Sequence, residues 1–233
     1  MKDIKFIGSA IYLRSSNILV ISDIHIGYEE SLAKKGILMP KFQLEELITQ
    51  LKKIFNVIDK PPDKIILNGD VKHEFGKILA EEWRYLLNFF NYLKNNAKDL
   101  ILIRGNHDKL LSHVAIKSSI KIRDFIIIGD ILITHGDKLV KIPKKINTII
   151  IGHQHPSIRL TDDLRSEIFK CYLIGRWKLK NLIVQPSFHK LTIGTNILSQ
   201  NFISPFLKNI SNFEVITVSD RLYNFGKFKN LIE

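Results

Sequence analysis

The stretch Ile18-Leu19-Val20-Ile21-Ser22-Asp23-Ile24-His25 decides how the rest of the chain is read. Four aliphatic residues run without alternation into Ser22 and Asp23. An unbroken apolar run of this length suits a strand buried on both faces, so the polar residues fall just past its C-terminal end. The design recurs at Lys64-Ile65-Ile66-Leu67-Asn68-Gly69-Asp70, at Leu100-Ile101-Leu102-Ile103-Arg104-Gly105-Asn106 and at Thr148-Ile149-Ile150-Ile151-Gly152-His153. Gly129-Asp130, between two Ile-rich arms, predicts a hairpin over 125–134. Further strands are expected at 170–174, 181–185 and 214–218. Helical spacing lies between these runs. Residues 42–57 place Leu44, Leu47, Ile48, Leu51, Ile54 and Phe55 on one face, and 79–95 do the same with Trp83, Leu86, Leu87, Phe90 and Leu93. A short helix is expected over 109–116. Alternating strands and helices followed by a strand-rich last third predict an α/β fold, a four-layer αββα sandwich of two mixed sheets flanked by helices. At 233 residues the chain suits one sizeable core, so 1–233 reads as a single domain.

An apolar fraction of 45% excludes a disordered chain. No apolar run is long enough to span a bilayer, and the opening Met1-Lys2-Asp3-Ile4-Lys5-Phe6 lacks the pattern of a signal peptide. A cytoplasmic location with no membrane partner is expected. The single cysteine, Cys171, lies in an apolar stretch and reads as a core thiol. The net charge of +12 favours polyanionic partners, nucleic acid above all, and equally suits a solvated lysine surface.

Metal-binding residue types follow each strand end at once: Asp23-Ile24-His25, Gly69-Asp70, Gly105-Asn106-His107-Asp108, His135-Gly136 and Gly152-His153-Gln154-His155. Ligands gathered beyond strand C-termini are the usual geometry of α/β active sites. Five of the eight histidines fall in these motifs. Imidazole and carboxylate ligands suit Mn²⁺, the first expectation, and Fe²⁺, Zn²⁺ or Ni²⁺ as alternatives. In an extended segment Asp23-x-His25 points both side chains the same way, and Gln154 points away from His153 and His155. Asp23, His25, Asp70, Asn106, His135, His153 and His155 exceed the needs of one ion. They suit two divalent ions sharing a carboxylate, with Asp70 as the natural bridge. Two such ions, two aspartates, a hydroxide and a phosphodiester sum to near neutrality, which limits the desolvation cost.

These motifs resemble the calcineurin-like metallophosphoesterase superfamily, in order, over residues 23–155. The stretches Asp23-Ile24-His25-Ile26-Gly27-Tyr28-Glu29, Asn68 to Phe75 and Pro186-Ser187-Phe188 resemble more narrowly the archaeal predicted phosphoesterases related to the Mre11/SbcD nucleases. The resemblance implies one ion on Asp23, His25, Asp70 and His155 and a second on Asp70, Asn106, His135 and His153. It also implies that His107 is a catalytic histidine beside the scissile phosphate. Asp108 has two open readings, orienting His107 or capping a helix. Mre11-type nucleases carry a further capping region, for which little chain remains after residue 200.

The expected activity is metal-dependent phosphodiester hydrolysis, with nucleic acid as the first substrate class. A phosphodiesterase or phosphatase for small nucleotides or phosphoproteins is the alternative, and a non-enzymatic repair module is a third reading that His107 argues against. His73 and Glu74 read equally as partners of the ligands or as surface residues. His113 and His189 read as structural and loop residues, Arg104 as half of a strand-end ion pair.

Overall fold

The computed structural model describes residues 3–37, 40–74, 80–108, 111, 115, 117–161 and 165–232. The first sheet has six strands in sequence order: β1 (Ile4–Ile7), β2 (Ala10–Leu13), β3 (Ile18–Ser22), β4 (Lys64–Asn68), β5 (Asp99–Ile103) and β6 (Lys121–Arg123). From β3 to β6 all pairings are parallel, so four strand ends point the same way. The helices between them are α1 (Tyr28–Lys34), α2 (Gln43–Phe55) and α3 (Ala80–Asn95). The second sheet contains β7 (Phe125–Ile128), β8 (Ile131–Thr134), β9 (Thr148–Ile151), β10 (Pro156–Thr161), β11 (Ser166–Trp177), β12 (Lys180–Val184), β13 (Thr195–Asn196), β14 (Glu214–Val218) and β15 (Leu222–Lys227). Here β8, β9 and β12 are mutually parallel, and the expected hairpin is β7–β8.

Alternation along the strands divides the core into three layers. Val20, Ile66 and Ile103 of the first sheet meet Ile133, Ile150, Ile183 and Tyr172 of the second, forming the interior between the sheets. Leu19, Ile21, Ile65, Leu67 and Leu102 face the other way and are covered by Leu47, Leu51 and Ile54 of α2 and Leu86, Phe89, Phe90 and Leu93 of α3. Complete burial of such side chains contributes roughly 1.5–3 kcal/mol each.

The outer face of the second sheet is built differently from the expectation. Leu132, Ile149, Ile151, Leu173, Leu182 and Val184 are covered by Ile197, Phe206, Leu207, Ile210, Phe213 and Phe228. Among the described residues this cover is irregular chain with short 3₁₀ turns, not α-helix. Its apolar residues lack a 3.6 spacing, so they form no continuous helical face. The expected helix over 109–116, with His113, falls largely outside the described residues. No helix among the described residues is long and apolar enough to cross a membrane.

Candidate active site

The loops leaving β3, β4, β5, β8 and β9 meet at one end of the two sheets. Backbone hydrogen bonds lock them together: Asp23 N–H to Gly69 C=O at 3.2 Å, His25 N–H to Asp70 C=O at 2.9 Å and Gly152 N–H to His135 C=O at 2.8 Å. The chain then turns sharply. Asp23, His25, Asp70, His153 and His155 all have positive φ, between 44° and 62°. The left-handed region is costly for side-chain-bearing residues and concentrates at functional sites. This corrects the expectation that the Asp-x-His and His-x-His pairs converge through extended backbone. They converge through left-handed turns, while Gln154 does point away, accepting the Ile203 N–H at 2.9 Å.

Three groups of candidate ligands result among the described residues: His25, His73 and His107 form one, and the other two share Asp70. Asp23, His25, Asp70 and His155 bring ligand atoms within 4.8 Å of one another, and so do Asp70, His135 and His153. His25 Nε2 stands 3.3 Å from His155 Nε2, and His155 Nε2 stands 3.1 Å from Asp23 Oδ1. In the second group His135 Nε2 lies 3.3 Å from Asp70 Oδ2 and 3.0 Å from Asn106 Oδ1. Asp23, His25, Asp70 and His135 form the buried floor; Asn106, His107, His153 and His155 are half-buried on the solvent side.

The donor set fits cations. His135 Nδ1 sits 3.2 Å from the Asn68 carbonyl and donates to it, so the neutral ring turns a lone pair toward Asn106 and Asp70. Three acceptors then face one another and need a proton or a cation between them. Burial opposes charge on His135, but the hydrogen bond and charge of Asp70, with Asp23, outweigh it and raise its pKa. The same pairing overrides burial at Asp70 and holds its carboxyl below the usual range. Burial, aided by His155, keeps His25 neutral, and burial with His135 does the same for His153, which is the state in which imidazole ligates.

Around these groups stand residues that orient them. Ser22 Oγ donates to Asp23 Oδ2 at 2.6 Å. The His107 backbone N–H donates to Asp70 Oδ1 at 3.0 Å, and its ring Nε2 lies 3.8 Å from Asp70 Oδ2. His107 Nδ1 donates to the carbonyl of His73, which turns Nε2 toward the shared carboxylate. Asp108 is buried, and its carboxylate accepts the N–H groups of Val71 and Gly105, each at 3.0 Å. Burial and the charge of Asp70 push it up to about 7. It ties the Asp70 loop to the Asn106 loop from below.

Of its two open readings, the structure places His73 beside the ligands, its Nδ1 3.5 Å from His25 Nδ1. Its ring is 5.4 Å from that of His25 and 5.8 Å from that of His107. Sequence reasoning assigned no role to Tyr28, Lys170 or His189. The signal for Tyr28 was its place three residues after His25; His189 followed a quoted motif but read as a loop residue. Arg104 does pair with Asp124, at 3.8 Å.

A profile of calcineurin-like phosphoesterases matches residues 16–172, two-thirds of the chain. The chain belongs to the calcineurin-like phosphoesterase family. As a member it is a metal-dependent phosphoester hydrolase; the family implies a dinuclear divalent metal site, and the groups that share Asp70 are candidate ligands for it. Among solved structures, the Pseudomonas putida nuclease MPE is similar at 18% identity and a TM-score of 0.67, covering 93% of this chain and 92% of that one. A protein of unknown function from Aquifex aeolicus is similar at 24% identity over 59% of this chain and 78% of its own, with a TM-score of 0.39. A Vps29 double mutant from Entamoeba histolytica is similar at 14% identity over 90% and 99%, with a TM-score of 0.35. No curated protein matches in sequence.

The basic residues of this phosphoesterase do not all surround the site. Lys35, Arg104, Lys138 and Lys190 lie on its loops, whereas Lys64, Lys98, Lys121, Lys144, Lys145 and Lys180 stand at or before strand starts, at the opposite end.

Proposed function

We propose that the chain, working as one domain, is a phosphodiesterase that hydrolyses nucleic acid with two divalent ions, Mn²⁺ first among them. The observation that carries this reading is the pair of ligand groups sharing Asp70 with His107 beside them. Asp23, His25, Asp70 and His155 would hold one ion, and Asp70, Asn106, His135 and His153 the other. When bound, such ions supply Lewis acidity to phosphoryl oxygens and lower the pKa of a coordinated water.

The side chains then have separable tasks. His107, anchored at Nδ1 by His73, presents Nε2 to the scissile phosphate and in its protonated form donates to the leaving alkoxide. Asp70 Oδ2 stands 3.8 Å from that nitrogen. Asp108 keeps Asp70 and Asn106 in register. Half-buried His107, His153 and His155 leave the site accessible from solvent, which supports a polymeric substrate. The basic loops at this end and the nuclease built on the same fold in Pseudomonas putida support it as well. The cations at the opposite end favour the second reading, a small nucleotide diester, since they cannot serve this site.

A substrate panel with Mn²⁺ separates the two. Single- and double-stranded DNA and RNA, cyclic nucleotides and bis-p-nitrophenyl phosphate are compared, with Asp70→Asn as control. Polynucleotide cleavage should exceed that of cyclic nucleotides and weaken steeply with salt. A preference for cyclic or mononucleotide esters with a shallow salt response would sink the nucleic-acid reading. Wild-type turnover by Asp70→Asn would sink the site assignment.

A further inference from the structure

Three polar features outside the ligand groups converge on one side of the site. Half-buried Lys170 on β11 donates to the Ser187 carbonyl at 2.9 Å, to Ser187 Oγ at 2.7 Å and to the His189 carbonyl. It pins the loop after β12 and so fixes His189. The Thr192 N–H donates to His189 Nδ1 at 3.3 Å, which places the ring proton on Nε2. That nitrogen is buried and has no hydrogen-bond partner. The ring instead stands 5.1 Å from that of Tyr28 at 72° between planes, a tilt that suits an N–H···π contact.

Tyr28 is held from a second direction by His73, whose ring lies 4.8 Å away at 87°. Two imidazoles therefore clamp one half-buried tyrosine on the first turn after His25. Enclosed tyrosines ordinarily bond their hydroxyls. Tyr12 does so to Asn17 at 2.7 Å, and Tyr172 to the Ala10 carbonyl at 3.0 Å. No described residue bonds the hydroxyl of Tyr28. A fixed ring with a free hydroxyl beside a phosphoesterase centre is arranged to meet something that arrives from solvent.

We propose that Tyr28 binds substrate, its hydroxyl donating to a phosphate that flanks the scissile one, and that His189 is a positioning residue for its ring. The proposal rests on the nucleic-acid reading. The scissile phosphate must lie between the ligand groups and His107. His73 separates Tyr28 from both, its ring 5.4 Å from that of His25 and 5.8 Å from that of His107. Tyr28 thus stands one imidazole further out, where the next phosphate of a chain passes.

Tyr28→Phe removes only the hydroxyl and keeps the ring packing. Its kcat/KM with Mn²⁺ is measured on a single-stranded oligonucleotide and on bis-p-nitrophenyl phosphate, which has no flanking phosphate. Loss of one hydrogen bond to an anion should lower the oligonucleotide-to-small-ester ratio about tenfold, through the oligonucleotide KM. His189→Leu should lower the same ratio about threefold by loosening the ring, an order-of-magnitude expectation. A wild-type enzyme that cleaves the oligonucleotide, with the Tyr28→Phe ratio within about twofold of it, overturns the Tyr28 assignment alone. A wild-type enzyme that hydrolyses the small ester but no oligonucleotide overturns the nucleic-acid reading, and this proposal with it.

Discussion

At Gly105 the bridging carboxylate occupies the space a side chain would need. A Cβ there would stand 2.1 Å from Asp70 Oδ1 and 2.3 Å from the Asp70 backbone nitrogen. The second of these atoms is backbone and cannot swing aside. Gly105→Ala should therefore displace Asp70 from both ligand groups at once, lowering metal-dependent turnover by roughly a hundredfold or more. Calorimetric titration with Mn²⁺ checks this; near-native affinity would contradict the shared role of Asp70. The same logic holds at Gly69, where φ is +78° and a Cβ would meet His135 Nδ1 at 2.1 Å. His189 gives a prediction in pH. Burial, then the charge of Lys170, lowers its pKa from 6.5 to about 3. Above pH 6.5 it is neutral folded or unfolded, and its contribution to stability is fully present. As pH falls from about 6.5 toward 3 the unfolded chain takes up a proton that the fold refuses, so stability is lost. The loss is at most about 1.4 kcal/mol per pH unit. His189→Gln should flatten the decline of Tm between pH 6.5 and 5. Parallel declines in variant and wild type would show that another group carries the effect.

The elements that present the ligands were the legible ones. β3, β4, β5 and β9 announce themselves because burial on both faces demands unbroken aliphatic runs, and the ligands follow each run directly. α1 escaped notice because it is short and buries Glu29 and Glu30 where periodicity looks for apolar residues. β10 was missed although Ser157 to Thr161 alternate, whereas β13 is only two polar residues and β15 has mixed burial with no alternation. In the site, the gathering of the seven expected ligand side chains at one end of the sheets was readable from residue type and placement. The Tyr28–His189 contact was not, since it joins positions 161 residues apart. Another long-range contact moors α3. Lys72, just past Asp70, is fully buried, and its Nζ has no hydrogen-bond partner among the described residues and lies 3.9 Å from Glu82 Oε1 on the first turn of that helix. Removing one buried partner strands the other's charge, at about 3–5 kcal/mol, whereas replacing both with apolar groups is often neutral. Glu82→Leu, which leaves the Lys72 ammonium buried, should thus be strongly destabilised in urea, and Lys72→Met with Glu82→Leu should recover most of the loss. A double variant no more stable than the single would remove the mooring role.

For the whole molecule, the +12 charge can act in two ways, and its placement tells them apart. Cations spread over both ends raise the local concentration of any polyanion, but only those on the site loops can contact a strand held for cleavage. Lys35 is close enough to His73 to influence its ring, and Arg104 leads directly into Gly105-Asn106. Lys144 and Lys145 precede β9 and stand at the far end. Each phosphate contact contributes about 0.7–0.9 to the slope of log affinity against log salt. Lys35→Gln with Arg104→Gln should therefore flatten the salt dependence of polynucleotide KM by roughly 1.5, with bis-p-nitrophenyl phosphate as the uncharged-flank comparison. Lys144→Gln with Lys145→Gln removes the same charge and should leave the slope within about 0.3 of wild type, since no contact is lost there. If both pairs flatten it equally, the charge acts as a diffuse field and the strand does not run over the Lys35 and Arg104 loops.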